Sequence, residues 1–385
     1  MSRIGVNLLW IVPGEVGGSE EYTVGLLRAL HEMDARDLEV ILYVNRRFAR
    51  EHSDLCGMYR TVVAPIEGTS RALRVLVESS WLAWRTRRDQ LDAVHHAGGT
   101  MPPIRTAPGI ITLHDLQPIT HPERFGPIKR LYISLLAPRS LRAAEHVVCL
   151  TSFTARDAER LARVDPARIV LVPSGIDPIA SAPSPERSTE VLAAFDLSRG
   201  RYVLYPAITY EHKNHRTLIE AFDRLHRTHP DLRLVLTGGA GPMEPMVHDQ
   251  IARLALESVV RRTGRVSTGE LDVLMRCAGV MAFPSSYEGF GLPVLEAMAR
   301  GCPVVASQVG GLVEIGGSAA RLVDPFDIDG WVAALCAVLD DAGYRAEMVS
   351  RGLEQSSHFH WGDSALALSV LYRSIPSPRR THSSP

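Results

Sequence analysis

The stretch Pro284-Ser-Ser-Tyr-Glu-Gly-Phe-Gly-Leu-Pro-Val-Leu-Glu-Ala-Met-Ala-Arg-Gly301 decides the fold of this chain. It lies between two short apolar runs, Gly279-Val-Met-Ala-Phe283 and Cys302-Pro-Val-Val-Ala306, each typical of a buried strand. Inside the stretch a glycine-rich turn precedes a helical pattern, with a proline suited to the first helical turn and a glycine suited to the position after the last. The pattern predicts a strand–loop–helix–strand unit of a parallel α/β sheet.

Two carboxylates flank the predicted start of this helix. Glu288 lies on the turn, and Glu296 lies about one helical turn into the helix. The backbone N–H groups of residues 289–292 point out of a helix N-terminus, which favours an anion such as phosphate. Because carboxylates repel phosphate, we expect these two to bind neutral hydroxyl groups attached to it. Either glutamate alone is typical of a solvated surface residue, but the whole stretch favours a nucleotide-sugar site.

The run Glu288-Gly-Phe-Gly-Leu-Pro-Val-Leu-Glu296 resembles the E-x7-E motif of retaining glycosyltransferases of family 4, which have the GT-B fold. The resemblance extends to Val172-Pro-Ser-Gly-Ile-Asp177 and to His114-Asp-Leu116 followed by His121-Pro-Glu-Arg-Phe125, a segment similar to that of the mannosyltransferase-like branch. It implies an α/β chain with two Rossmann-like domains facing a cleft and a C-terminal helix that crosses back to the N-terminal domain.

Strand and helix patterns alternate on both sides of one Pro-, Ser- and Ala-rich segment, which predicts two domains. We expect an N-terminal, acceptor-side domain at 1–177 and an interdomain linker at 178–200. A C-terminal, nucleotide-sugar-binding domain then follows at 201–360, with a crossover helix at 361–375. The tail at 376–385 is expected to be disordered.

Composition excludes several classes of function. The chain has 385 residues and a net charge of −1, so bulk binding to nucleic acid is not expected. Its five cysteines are scattered and show no C-x-x-C spacing, which indicates reduced thiols in a cytoplasmic protein without a zinc site. The apolar opening at residues 4–12 is too short to span a bilayer and is interpreted as the first strand.

A lysine on the second domain is the first candidate for the charge that stabilises a leaving diphosphate. Lys213 follows the first strand of that domain, in a chain that has only one other lysine, Lys129. A compact ammonium suits a phosphate site, although a solvated loop lysine is the alternative. The family commonly adds an arginine nearby, whereas here His212 stands beside the lysine and residues 206–211 contain no arginine.

The resemblance implies roles for the other site residues. Glu288 contacts the donor sugar and Glu296 the ribose, while Arg265 and Val266 border the base. On the N-terminal domain, His114 approaches the donor sugar, and we rank His95 and His96 lower. Together with Lys213 and Glu288, His114 forms the expected catalytic set. The remaining expected donor contacts are Gly17, Gly18, Phe290, Gly291 and Leu292.

Residues 70–88 form a basic amphipathic stretch with Trp81 and Trp84. It suits contact with an anionic membrane, which would place the protein peripherally at the inner face of that membrane. An ordinary surface helix that docks its tryptophans into the core is the alternative, and the more common case for such helices.

No metal or other cofactor is expected. Asp327-Ile-Asp329 matches the D-x-D of metal-dependent glycosyltransferases, but it precedes a helix and is interpreted as an acidic N-terminus. We expect a retaining, metal-independent hexosyltransferase that moves mannose, with GDP-mannose as first choice, to a glycan or lipid-linked acceptor for polysaccharide biosynthesis. The alternatives are a nucleotide-sugar epimerase of GT-B fold and a catalytically silent nucleotide-sugar binder.

Overall fold

The computed structural model describes residues 2–15, 17–33, 37–124, 126–177 and 182–376. The chain forms two compact units. One unit comprises Met1–Asp177 together with His360–Pro385, and the other comprises Pro178–Phe359. Each is built around a parallel sheet, so the expected α/β class with two Rossmann-like units is confirmed. All of the predicted tail except Pro376 lies outside the described residues.

In the described part of the first unit, seven strands pair in the order β3-β2-β1-β4-β5-β6-β7. All pairs are parallel, and the central strands are buried on both faces, which explains their continuous apolar sequences. The strands are β1 (Ser2–Asn7), β2 (Leu38–Val44), β3 (Arg60–Val63), β4 (Ala93–His96), β5 (Gly109–Leu113), β6 (His146–Cys149) and β7 (Ile169–Leu171).

Helices follow most strands of the first unit. They are α1 (Gly18–Glu32), α2 (Arg46–Glu51), α3 (Ser53–Met58), α4 (Arg71–Val77), α5 (Ala83–Arg88), α6 (Gln117–Thr120), α7 (Pro127–Ala143) and α8 (Ser152–Ala162). A π-helical turn, Glu78–Leu82, joins α4 to α5, and short 3₁₀ turns occur at Pro122–Arg124 and Pro166–Arg168. The Thr151 side chain caps α8 by accepting from the Thr154 N–H at 3.2 Å.

In the second unit, the described strands pair in the order β10-β9-β8-β11-β12-β13, again all parallel. The strand–loop–helix–strand prediction for residues 279–306 is confirmed, because β11 and β12 flank a helix there. The strands are β8 (Tyr202–Pro206), β9 (Arg233–Thr237), β10 (Val260–Gly264), β11 (Val280–Phe283), β12 (Val304–Ser307) and β13 (Arg321–Val323).

The helices of the second unit begin before its first strand. They are α9 (Pro185–Ala194), α10 (His215–His226), α11 (Glu244–Arg253), α12 (Thr268–Cys277), α13 (Leu292–Ala299), α14 (Gly310–Gly316), α15 (Ile328–Asp340) and α16 (Ala342–Ser356). A 3₁₀ turn, Glu211–Lys213, precedes α10. Asp327 caps α15 by accepting from the Gly330 N–H at 2.9 Å, so the acidic pair before Trp331 is a helix N-terminus.

The predicted linker at 178–200 is wrong in part, because it contains α9. The Ser184 hydroxyl accepts from the Arg187 N–H at 3.2 Å, Pro185 takes the first helical position, and Val191 and Leu192 are buried. Serine followed by proline is therefore a helix start here rather than a linker signature.

The last helix, α17 (Trp361–Ser374), belongs to the first unit and packs on α1. Trp361 Nε1 donates to Asp177 at 2.9 Å, and its ring fills the space above Gly25 and Gly175, where any Cβ would collide with it. The predicted return of the C-terminal helix to the N-terminal domain is confirmed.

Candidate functional site

The strand order of the second unit fixes where its site lies. Strand β8 has β9 and β10 on one side and β11 to β13 on the other, so the order in which strands are added to the sheet reverses between β8 and β11. Ligands of open α/β sheets bind at the carboxyl ends of the strands beside such a switch point. Lys213 follows β8 and Glu288 follows β11, so both residues lie at this edge.

Lys213 and Glu288 form an ion pair across the switch point. The distance from Nζ to Oε1 is 2.5 Å, and the two side chains are 18% and 13% exposed. The ammonium also lies 5.4 Å from the centroid of the Phe283 ring, which adds a cation–π contact. Because an ammonium has three donors, Nζ retains capacity for a phosphate oxygen while it contacts the carboxylate.

Backbone and hydroxyl contacts hold the loop that carries Lys213. The Tyr205 hydroxyl donates to the Lys213 carbonyl at 2.5 Å, and the Ser286 N–H donates to the His212 carbonyl at 2.7 Å. The Asn214 amide donates to the carbonyls of Pro284 and Pro325, at 3.1 and 2.7 Å. The loops after β8 and β11 are therefore cross-linked, so the ion pair sits in a rigid frame.

The glycine-rich turn begins α13 as predicted. Gly291 has φ of 105° and precedes the first helical residue, Leu292, while the Phe290 ring is buried and packs edge-on against Phe359 at 6.1 Å. Glu296 lies half-buried on α13, where its carbonyl accepts from the Arg300 guanidinium at 3.0 Å.

A glycine pair that the sequence analysis missed supports this turn. The Gly311 N–H donates to the Glu288 carbonyl at 2.9 Å, and Gly310 has φ of 53°. A Cβ on Gly310 or Gly311 would collide with the carbonyl of Glu288 or Gly289, respectively. The sequence does contain a signal for this support, namely a Gly-Gly pair shortly after β12, at the same sheet edge.

Arg265 and Val266 lie at that edge too, just after β10. The exposed Arg265 side chain covers Gly239, with Nε 3.0 Å from the place that a Cβ at residue 239 would take. Arg262 was not predicted and is already engaged by Glu244, with Nε–Oε1 at 2.8 Å and Nη2–Oε2 at 2.7 Å. The hydrogen bond from Arg262 lowers the pKa of Glu244, so this pair is charged and ties the loops together.

In the first unit the switch point lies between β1 and β4. Asn7 and His96 are the last residues of these strands and stand opposite each other in register. Asn7 Nδ2 donates to Glu78 Oε1 at 3.1 Å and lies 3.2 Å from His96 Nδ1. Burial raises the pKa of Glu78 and lowers the pKa of His96 to about 3. The sequence analysis missed Asn7 and Glu78, and the latter opens the π-helical turn.

His114 follows β5 and is half-buried. Its Nε2 lies 2.9 Å from the Ala97 carbonyl, and its ring packs edge-on against Tyr22 at 5.5 Å. A carbonyl only accepts, so Nε2 carries the proton and Nδ1 is left as an acceptor. Burial lowers the pKa of His114 to about 4, so the ring is neutral at pH 7.

Gly17 and Gly18 lie at the start of α1. Gly17 has φ of 65°, and a Cβ on either residue would meet no described atom within 4 Å. The structure thus groups Gly17, Gly18 and His114 in the first unit, and the other predicted site residues in the second.

The two tryptophans of the 70–88 stretch have different environments. Trp81 packs against the core beside Tyr43, at 6.1 Å between ring centroids, whereas Trp84 is 51% exposed. Leu73 and Leu76 are also exposed. The core-docking interpretation therefore holds for one tryptophan and fails for the other.

Comparison with known proteins identifies the family. Residues 195–355 match the model of glycosyl transferases group 1, and residues 16–179 match that of glycosyltransferase family 4. The chain is 31% identical, over 280 residues, to the O-antigen chain mannosyltransferase B of Escherichia coli, with 72% of this chain and 73% of the relative covered. This chain belongs to the group 1 glycosyltransferases. The resemblance of the E-x7-E stretch to that family is confirmed.

Two further matches extend over more of this glycosyltransferase. It is 26% identical to the O-antigen chain mannosyltransferase RfbU of Salmonella typhimurium, over 83% of this chain and 86% of the relative. The structure of HepE from Anabaena in complex with UDP superposes with a TM-score of 0.76 at 20% identity, over 97% of this chain and 100% of that one. The glycosyltransferase therefore has the GT-B fold.

Across the described ranges, no helix combines the length and apolar character needed to cross a bilayer.

Proposed function

We propose that this glycosyltransferase moves a mannosyl group from a nucleotide-sugar, with GDP-mannose as first choice, to a hydroxyl of a glycan or lipid-linked saccharide. The observation that carries the proposal is the Lys213–Glu288 pair at the switch point beside the start of α13. Two relatives named as O-antigen mannosyltransferases support mannose as the sugar. Neither the epimerase nor the silent binder gains support from the comparisons.

The leaving diphosphate needs donors and positive charge. Lys213 supplies an ammonium with free donor capacity, and the N–H groups at the start of α13 supply an oriented dipole. These groups together replace the role that a metal ion plays in other sites, so the reaction is proposed to be metal-independent. Arg265 is the exposed cation at the same sheet edge and is our candidate for the second positive charge.

The carboxylates bind hydroxyl groups on the two sides of the diphosphate. Glu288, held by Lys213, is proposed to accept from a hydroxyl of the donor sugar. Glu296 is proposed to accept from the ribose, with Arg265 and Val266 beside the base and Phe290, Gly291 and Leu292 around the phosphates. When the donor is absent, the carboxylate and the ammonium compensate each other's charge, so neither is left unpaired among poorly hydrated groups.

His114 is proposed to accept from a donor-sugar hydroxyl through Nδ1. Its proton is committed to the Ala97 carbonyl, and its lowered pKa keeps it neutral. It is therefore suited to orient the sugar rather than to protonate a leaving group at pH 7. Gly17 and Gly18 leave open space at the start of α1 for the same ligand.

Turnover of a panel of GDP-, UDP- and dTDP-sugars, with and without saccharide acceptors and with a chelator in one arm, tests the proposal. We expect acceptor-dependent release of nucleotide from GDP-mannose, unchanged by chelator, with the product linkage in the donor's α configuration by NMR coupling. Turnover of the donor that needs no acceptor, an inverted product, or loss of activity with chelator would each overturn the corresponding part of the proposal.

We also propose that the acceptor is reached at an anionic membrane surface. Leu73, Leu76 and Trp84 form the exposed apolar part of α4 and α5, and the Arg88 guanidinium lies 5.2 Å from the Trp84 ring centroid. Apolar side chains among arginines suit the boundary between head groups and acyl chains.

Co-sedimentation with vesicles tests the membrane contact. We expect binding to anionic but not zwitterionic vesicles, weakened by salt and by Leu76→Ser with Trp84→Ala. Leu353→Ser changes another exposed leucine, on the second unit, and serves as the control. Binding that ignores lipid charge, or that the double variant retains, would contradict this contact.

A further inference from the structure

Three potential metal ligands meet on the outer surface of the second unit, where α10 ends against the last turn of α15. Cys336 and Asp340 are four residues apart on α15 and so share one face of that helix. His229 follows α10, which packs along α15. The imidazole, thiol and carboxylate donor atoms all lie within 4.8 Å of one another.

The ring of His229 is oriented by its own backbone turn. Nδ1 lies 3.3 Å from the Leu225 carbonyl and 2.9 Å from the Thr228 hydroxyl oxygen. That hydroxyl itself donates to the Leu225 carbonyl at 3.0 Å, so its oxygen is left to accept. Both neighbours of Nδ1 therefore act as acceptors, which places the ring proton on Nδ1.

The other ring nitrogen of His229 faces a carboxylate. Nε2 lies 2.9 Å from Asp340 Oδ1, a hydrogen-bond distance, and a metal ion bound there would take the place of the proton that joins the two atoms. Metal-ligating histidines usually donate their other ring N–H to a carbonyl, carboxylate or water, and Nδ1 of His229 has such partners in the Leu225 carbonyl and the Thr228 hydroxyl.

We propose that His229, Cys336 and Asp340 bind a zinc-like divalent ion on the surface of the second unit, away from the donor site. Imidazole nitrogen, thiolate sulfur and carboxylate oxygen are the three ligand types of zinc, and water completes the tetrahedron. Binding forms metal–nitrogen, metal–sulfur and metal–oxygen bonds and releases the thiol proton and the proton between His229 and Asp340 to solvent. The expectation drawn from cysteine spacing, that the chain has no zinc site, predicts the opposite, and the titration below decides between the two.

The site is open to ions from solvent and independent of the sugar chemistry proposed above. The Asp340 side chain is 62% exposed and that of His229 is 20% exposed. Arg224, in the last turn of α10, already pairs with Asp329 in the first turn of α15 at 2.5 Å. A bound ion would add a second link, from the residue that follows α10 to the last turn of α15, so its effect is on the stability of the α10–α15 packing.

Titration of the reduced full chain with Co²⁺ tests the site, because a cobalt–thiolate bond gives a charge-transfer absorption that other ligands do not. We expect one saturable absorbing site per chain, displaced by Zn²⁺. Cys336→Ser should abolish the absorption, and His229→Ala should weaken Co²⁺ binding by at least about tenfold. Thr228→Val removes one of the two partners of His229 Nδ1 and should weaken Co²⁺ binding by about tenfold.

The matched control is Cys56→Ser, which changes the other cysteine that is not fully buried and should leave the titration unchanged. Zn²⁺ should also raise the melting temperature of the wild type and not that of Cys336→Ser. Absence of thiolate absorption, absorption retained in Cys336→Ser, or absorption lost in Cys56→Ser would overturn the proposal. The first outcome would indicate that a proton, not a metal, lies between His229 and Asp340.

Discussion

Lys213 and Glu288 are 75 residues apart in sequence and 2.5 Å apart at their charged ends. Both side chains are mostly shielded from water, so neither charge is well solvated without a partner. In the proposed site, donor binding rearranges the pair. The ammonium gives part of its hydrogen bonding to a phosphate oxygen, and the carboxylate accepts from a sugar hydroxyl. Removing either residue leaves the other charge uncompensated.

We predict that Lys213→Ala lowers kcat/KM for the donor by about 10²–10³, the usual cost of removing one donor to a developing charge. Lys213→Arg should restore little, because a planar guanidinium does not reproduce a compact ammonium. Steady-state kinetics with the best donor is the measurement. Arg227→Ala, an exposed cation paired with Asp223, is the control and should change nothing. A decrease in kcat/KM of threefold or less in Lys213→Ala would contradict a role for Lys213 in stabilising the diphosphate.

The two glutamates should separate binding from turnover. Glu296→Ala removes a charged acceptor for the ribose and is predicted to weaken nucleotide diphosphate binding by about tenfold or more, with kcat little changed. Glu288→Gln should lower kcat strongly and leave nucleotide affinity near wild type. Calorimetric titration of the nucleotide and kinetics of the donor provide the two readouts. Wild-type behaviour in both variants would refute the assignment.

At the scale of elements, the start of α13 depends on the helix beside it. The first residues of α14 are glycines because the carbonyls of the turn before α13 occupy the space that side chains would need. The hydrogen bond from the Gly311 N–H to the Glu288 carbonyl then holds the turn against the start of α14. The proposed anion site therefore depends on two helices, although only α13 presents its N-terminus there.

We predict that Gly311→Ala lowers donor turnover at least tenfold, because its Cβ pushes the Gly289 carbonyl and displaces the turn. Gly269→Ala is the matched control: this glycine lies in the first turn of α12 with no described atom near its Cβ. The control should keep full activity and gain a few tenths of a kcal/mol of stability. Circular dichroism and kinetics of both variants check the prediction, and equal activity in the two would contradict it.

Local patterns predicted the elements better than the contacts between them. The strand–loop–helix at 279–306 follows from apolar runs, glycine and proline, which act over a few residues. The Asn7–Glu78–His96 cluster joins residues 71 and 89 positions apart, and the Arg262–Glu244 pair joins β10 to the first residue of α11. Such pairings depend on the strand order, which no local pattern contains. The role of the π-helical turn was missed for the same reason, because the partner of Glu78 is Asn7 on β1.

At the scale of the whole molecule, buried neutral histidines link stability to pH. Burial lowers the pKa of His95, His96 and His215 to about 3 and that of His114 to about 4, below the ordinary value of about 6.5. Above pH 6.5 these rings are neutral in both folded and unfolded chains and contribute nothing to the pH dependence. Below pH 6.5 these histidines bind protons in the unfolded chain but stay neutral in the folded chain. The free energy of unfolding therefore decreases as the pH falls.

We predict that the free energy of unfolding decreases as the pH is lowered from 7 to 5, by up to about 1.4 kcal/mol per pH unit for each of these rings. Urea unfolding at several pH values measures the proton uptake. His114→Gln should reduce that uptake by close to one proton, whereas changing the exposed His248 should leave it unaltered. A stability that is constant over this pH range would contradict the prediction.

The return of α17 to the first unit also sets an order of events during synthesis. Trp361 and Tyr372 complete the first unit: one fills the space over Gly25 and Gly175, and the other bonds His95 at 2.6 Å. The ribosome makes these residues only after it has made all of Pro178–Phe359. The second unit is contiguous in sequence and can therefore finish folding first. Until α17 is made, the first unit has one face of α1 uncovered. A chain stalled before residue 361 would expose that face to chaperones.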